Sequence, residues 1–554
     1  MTFNAVVSGD TAITARGPLK GAAERLLGRL WIDEVPVRLA SEDPSLWPSA
    51  TAARDEGRPL CWPAQPGPGR AALGRVAELR ERARAEGLTD VLLLGRGAPA
   101  HAARLIVDAH RLTAPHRLTT PHRLTTPHRL TTPQDVTLTV LDGPDPGPPL
   151  RLADDPTRLN RTTVVVTGDD PGTDALRRVL HGMLCDLGLS PDEIARRFVT
   201  VAEPRSPAAK IAIETGHPLV EAPAPTPFGA LSPYALLPAA LAGVDVAALL
   251  DEATAVLPSL TRPEHNPGLA LGAILAGAVR SGRGTAVLGG YPAALPGIAG
   301  WVARLLEESG RGRLTPVVQD GGLPLSPDDD MFLITFDGRP HQDDATVTGP
   351  LAAQLVVWEY AAAVASHLLE LDPLAPRDGT APMTLDDGSG DALFADGDPA
   401  LAVEAHTTVP GLAVARDLPE LLDELIARVA DGEHLVIVAY LDPDESRGEG
   451  TQVRRLAARL AARTGRPVAA RWGTGLPAFW NDQGDGGVYL MVTGNVVRDV
   501  PVPGRHHRLG MVQLARALGD AKNARAAGLP VIRLHLRDRR AGLTRLLDSA
   551  REGE

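Results

Sequence analysis

Lysine is almost missing from this chain. Of its 56 basic residues only Lys20, Lys210 and Lys522 are lysines, and arginine supplies the rest. Very few residues are therefore able to act as a catalytic amine. Cysteine is equally scarce. Cys61 and Cys185 can build neither a disulfide framework nor a metal cage, which fits a reducing cytoplasm. No apolar run reaches about 18 uncharged residues, so no membrane span is expected. The first ten residues, MTFNAVVSGD, lack a basic region followed by an apolar one, so no signal peptide is expected. Net charge is −12 and no basic face is evident, which argues against nucleic-acid binding. What is present is ordinary for a globular protein: 44% hydrophobic and 22% charged residues. A chain of 554 residues has room for two to four domains and an ample core. Few aromatics, and 56 Gly with 50 Pro, are what a GC-rich genome produces.

The apolar pattern alternates between strand and helix. Residues 21–32 and 72–86 have helical periodicity, within an N-terminal helical segment over 1–70 and at the start of the next unit. TDVLLLGRG at 89–97 is a short apolar run ending in Gly-x-Gly, and APAHAARLIVDAHRL follows as a helix. DVTLTVLDGPD at 135–145, RTTVVVTGDDPGT at 161–173 and FVTVAEP at 198–204 read as further strands, with the helix DALRRVLHGMLCDLG between the last two. A helical stretch at 229–256 closes a first unit, 71–256. The pattern then restarts over 257–371, with strands in GTAVLGG, LTPVVQD and MFLITFDG and a long buried helix at 351–371. Residues 372–396 form a Pro/Gly/Asp-rich linker. HLVIVAYLD, GRPVAARWG, GGVYLMVTG and VIRLHLRD are the strands of a C-terminal α/β segment, 397–554. Strands alternating with helices mean mostly parallel sheets covered on both faces.

One feature breaks this rhythm. Residues 110–133 read HRLTAP-HRLTTP-HRLTTP-HRLTTP, with His110, His116, His122 and His128 each followed by Arg. Four prolines exclude a helix interior or a sheet centre. Zinc would need neutral imidazoles converging on one ion. In a Pro-punctuated coil with Arg beside each His, an exposed low-complexity insertion between helix and strand is the expected reading, and no metal site is assigned.

Several stretches carry a family resemblance: RLASEDPSLW from 38, FVTVAEPRSPAAKIA from 198, GALSPYALLPAALAGVDVAALL from 229, NPGLALGAILA from 266, GWVARLLEES from 300, VTGPLAAQLVVWEYAAAVA from 347 and VPVPGRHHRLGMVQLARALGD from 500. They run in order from about 20 to 548, nearly the whole chain. The chain resembles glucose-6-phosphate isomerases, most closely the actinobacterial type related to transaldolase–isomerase fusions. The resemblance implies two tandem sugar-isomerase (SIS) domains. Each would be a flavodoxin-like parallel sheet in a three-layer α/β/α sandwich. It also implies aldose–ketose isomerisation of a sugar phosphate, a homodimer and no cofactor.

That chemistry needs an anion cradle, a carboxylate to move a proton between C1 and C2, and an acid–base pair to open the ring. The family's first loop is Gly-Met-Gly-Gly-Ser-Ser; here it is Gly95-Arg96-Gly97-Ala98-Pro99-Ala100, without hydroxyls. The second is Ser-Ser-Lys-Ser-Gly-Gly-Thr; here it is Thr167-Gly168-Asp169-Asp170-Pro171-Gly172-Thr173, with acids at the lysine and one serine position. Each carboxylate about 4 Å from a phosphate costs on the order of 4 kcal/mol at an effective dielectric near 20. The family's Gly-Gly-Arg-Tyr-Ser is Pro225-Thr226-Pro227-Phe228-Gly229, and Met383 falls near a family lysine. TGLPAFWNDQGDGG at 474–487 has neither the His nor the Lys expected there.

One element survives. Glu308, in Arg304-Leu305-Leu306-Glu307-Glu308-Ser309-Gly310, occupies the base position. The bland alternative is a solvated carboxylate paired with Arg304 one turn earlier. Gly95, Gly97, Thr167, Gly172, Thr173 and Arg304 are the candidate substrate contacts, and Arg96, Arg304 or Arg311 could supply a rebuilt phosphate site. Three readings follow: an isomerase of weak or lost activity; a non-catalytic ligand-binding or regulatory relative that could pair with an active copy; and an enzyme for a sugar without phosphate. Asp169 and Asp170 suit a cationic or amino-sugar ligand in the third reading, or simply cap the following helix.

Overall fold

The computed structural model describes residues 5–113, 136–289, 295–319, 329–336, 344–375, 383–430, 433–473 and 487–551. The chain opens on a hairpin, β1 (Ala5–Ser8) and β2 (Thr11–Ala15), turned at Gly9 with φ +56°. The expected N-terminal helical segment thus begins with two strands, and its helices start at Gly17–Ile32. Ile13 and Ala15 point inward while their neighbours are partly exposed, the alternation of a half-buried strand.

The first unit holds β3 (Asp90–Leu94), β4 (Thr137–Leu141), β5 (Thr162–Val166), β6 (Phe198–Ala202) and β7 (Leu219–Glu221). They form a parallel sheet in the order β4-β3-β5-β6-β7, which is flavodoxin-like. Every residue of β3, β5 and β6 is buried, as required of strands with helices on both faces. The second unit adds β8 (Thr285–Gly289), β9 (Thr315–Val318), β10 (Met331–Thr335) and β11 (Ala345–Thr348). Its order is β9-β8-β10-β11, continued antiparallel by β2 and β1. The third unit, with β12 (Phe394–Asp396), β13 (Val403–Thr407), β14 (His434–Ala439), β15 (Val468–Trp472), β16 (Gly487–Gly494) and β17 (Val531–Leu536), repeats that plan. Its order is β15-β14-β16-β17, followed by antiparallel β13 and β12. The expected α/β class and the tandem parallel-sheet units are therefore present. The 372–396 linker is docked in its described part: Asp387 is 5% exposed and is held by Arg533 at 2.7 Å and Arg525 at 3.1 Å.

The helix Leu351–Leu368 is long and apolar enough to cross a membrane, yet most of it is buried inside the protein. It packs on the helix Pro267–Arg280, where Gly268 and Gly272 leave room for Tyr360 and Val364; a Cβ at either position would collide with them. Its Glu359, 1% exposed, accepts hydrogen bonds from the Ala64 and Ala230 N–H groups at 2.9 and 2.8 Å. The second and third sheets approach through β9 and β15, with Val317, Val436, Val438 and Ala469 in one apolar cluster. Ion pairs join the first unit to the third: Arg539 to Asp145 at 2.7 Å, Arg498 to Asp154 at 3.0 Å, and Arg151 to Asp442. Of the hexad repeat, His110 lies in the last turn of the helix Gly97–Thr113; His116, His122 and His128 lie outside the described residues.

Candidate functional site

In the order β4-β3-β5, the chain leaves β3 toward one sheet edge and later strands add on the other side. The crevice beyond the carboxyl ends of β3 and β5 is where such sheets bind ligands. Gly95 follows β3 and presses against Thr167, which follows β5; a Cβ on Gly95 would overlap the Thr167 hydroxyl. The Thr167 N–H and Oγ1 both donate to the Leu94 carbonyl, at 2.9 and 3.2 Å, tying the two loops together. Gly97 opens the helix Gly97–Thr113 with φ +80°, a conformation glycine adopts freely.

Asp170 is the N-cap of the helix Pro171–Asp186. Its carboxylate accepts from the Gly172 N–H at 3.0 Å, the Thr173 N–H at 3.4 Å and the Thr173 hydroxyl at 2.5 Å. Arg96 Nε lies 3.3 Å from its Oδ2. Burial works against the Asp170 charge, but Arg96, Thr173 and Arg516 outweigh it and hold the carboxyl below its ordinary range. Asp169 is exposed. The capping alternative is thus the one realised at Asp170.

A cavity lies over this loop. Its volume is about 120 Å³. Arg96, Asp142, Asp170, Gly172 and Thr173 line it from the first unit; Met383, Val512 and Arg516 come from the linker and the third unit. Asp142 stands just after β4. Desolvation pushes its carboxyl upward, against the pull of Arg304, Arg96 and Arg104. Arg516 donates through Nε to Asp520 at 3.2 Å, and the Tyr440 hydroxyl donates to the same carboxylate at 2.7 Å. Burial raises both Asp520 and Tyr440 above their ordinary values.

Glu308 sits on the helix Ile298–Gly310 of the second unit and is 3% exposed, so the solvated alternative for it does not hold. It accepts from the Ala98 N–H at 3.2 Å, at the start of the helix Gly97–Thr113. Arg304 Nε is 3.8 Å from Glu308, and Arg304 donates to Glu307 at 3.0 Å; Arg471 of β15 reaches Glu307 at 2.9 Å. These buried groups form a junction between units. Neighbouring His101 is pushed down to about 3 by burial and by the charges of Arg304 and Arg104.

Of the seven residues expected at the site, Gly172 and Thr173 line the cavity, and Gly95, Gly97 and Thr167 build the loops beside it. Arg304 and Glu308 do not line it. Arg311 is turned to the Ala375 carbonyl, 3.4 Å away, and does not line it either. Asp142 and Arg516 do line it and were not singled out from the sequence. Asp142 carried a signal, a polar residue at the carboxyl end of the strand beside β3. Arg516 carried none, because only docking of the third unit brings it here. Among the described residues no group of three or more His, Cys, Asp or Glu is arranged to hold a metal ion.

No protein-family model matches the chain, and no curated protein matches it. Solved structures do. A hypothetical protein from Thermus thermophilus superposes with a TM-score of 0.50 at 17% identity, over 66% of this chain and 96% of that one. A glucose-6-phosphate isomerase from Chlamydia trachomatis superposes with a TM-score of 0.47 at 14% identity, over 67% of this chain and 86% of that one. At such identity the likeness is one of fold: over about two thirds of its length the chain shares the α/β architecture of the Thermus thermophilus protein.

Proposed function

We propose that this chain is a sugar-isomerase-fold protein that holds a small polar ligand without phosphate in its first-unit crevice, and does not isomerise sugar phosphates. One observation carries the reading: the Asp170 carboxylate takes the donors that a phosphate would use. The Gly172 and Thr173 N–H groups, the Thr173 hydroxyl and Arg96 all converge on it. A phosphate entering there meets a fixed negative charge and finds its donors occupied. Glu308 supports the same reading. The candidate base is buried, accepts from Ala98 and faces Arg304, so it does structural work at the junction of two units.

Isothermal titration of the intact chain with fructose 6-phosphate and with inorganic phosphate tests this. No saturable heat is expected from either. Saturable binding of fructose 6-phosphate would overturn the reading.

A further inference from the structure

Three carboxylates stand at or behind the cavity, and they differ in their partners. Asp170 has four donors, and Asp520 has Tyr440 and Arg516. Asp142 lines the cavity, half-buried, and among the described residues no side chain donates a hydrogen bond to it. A carboxylate drawn out of water without donors is costly. It gains most from a ligand that donates to it.

Arg516 faces the same space. Its Nε is used on Asp520, and its guanidinium makes no other hydrogen bond among the described residues. The remaining wall is apolar: Leu141, Leu176, Val512 and Met383. Charge of either sign is disfavoured. An anion would meet Asp142 and Asp170; a cation would meet Arg96, Arg516 and, close behind, Arg304. A hydroxyl is both donor and acceptor, so adjacent hydroxyls can serve a carboxylate and a guanidinium together.

The geometry points to a neutral polyhydroxy ligand of monosaccharide size, fixed by Asp142 and Arg516, with its C–H face against Val512 and Met383. This rests on the phosphate-free reading of the crevice and adds to it the ligand class and its two anchors.

The test is calorimetric titration of the full chain with D-glucose, D-fructose and D-mannitol, alongside glucosamine and fructose 6-phosphate. At least one neutral compound should bind. Asp142→Asn and Arg516→Gln should each weaken it about tenfold or more, the loss of one hydrogen bond to a charged group. Should either variant fail to fold, the other carries the test. Neutral binding untouched by both substitutions overturns the inference and leaves the phosphate-free reading standing. Binding of fructose 6-phosphate overturns the phosphate-free reading itself. Preference for glucosamine, or no binding of any neutral compound at millimolar concentration, overturns the ligand class.

Discussion

Replacing Asp170 by Ser should turn the crevice into an anion site. Serine caps a helix about as well as aspartate, so Pro171–Asp186 should persist. What is lost is the charge. At 3.3 Å and an effective dielectric near 20, the Arg96–Asp170 attraction is about 5 kcal/mol before desolvation. A phosphate seated in the native cradle would meet the Asp170 carboxylate at about 4 Å, a repulsion of about 4 kcal/mol per negative charge before screening. Removing that charge should strengthen phosphate binding by about 100- to 1,000-fold after screening. The helix forfeits its favourable charge–dipole contact, so stability should fall by about 1–2 kcal/mol. Because the Asp170 carboxyl is held below its ordinary range, the stability it lends is full above the unfolded value and is lost as pH falls through the folded one. That acid limb should shrink in the variant. Phosphorus NMR titration with inorganic phosphate reads the affinity of both proteins. Equal affinity, or equal absence of binding, would refute the claim that Asp170 is what excludes phosphate.

Other perturbations reach further parts of the molecule. Burial raises Glu359 to about 7, above its unfolded value near 4.5, so the folded state holds this proton more tightly. Stability should therefore fall by about 3 kcal/mol as pH rises from about 4.5 through 7; Glu359→Gln should flatten that slope in denaturant melts across the window. Glu308→Ala leaves the Ala98 N–H without its acceptor and Arg304 with fewer partners, and should cost about 2–4 kcal/mol in chemical denaturation. Deleting two of the four hexads should leave folding intact; a fall in Tm of more than about 5 °C would contradict that.

Much of the fold was legible because it is written locally. β3, β5 and β6 are apolar runs flanked by helix signals. The N-terminal hairpin was not legible, since its partner β11 lies at the far end of the second unit and short strands such as AVVS and TAITA carry little period of their own. At the site, the cap at Asp170 could be read from Asp-Pro ahead of a helix. Its pairing with Arg96 could not, because that depends on β3 and β5 lying side by side. The same holds for Glu308. Its position in the chain suggested a base, whereas its environment is set by contact between two units. The third unit's roof, with Arg516, appears only when that unit docks on the first.

The most direct test of the central claim is a coupled assay of the purified chain with fructose 6-phosphate. No turnover above background is expected. Turnover at roughly 1 per second or faster, abolished by Glu308→Gln, would contradict the claim.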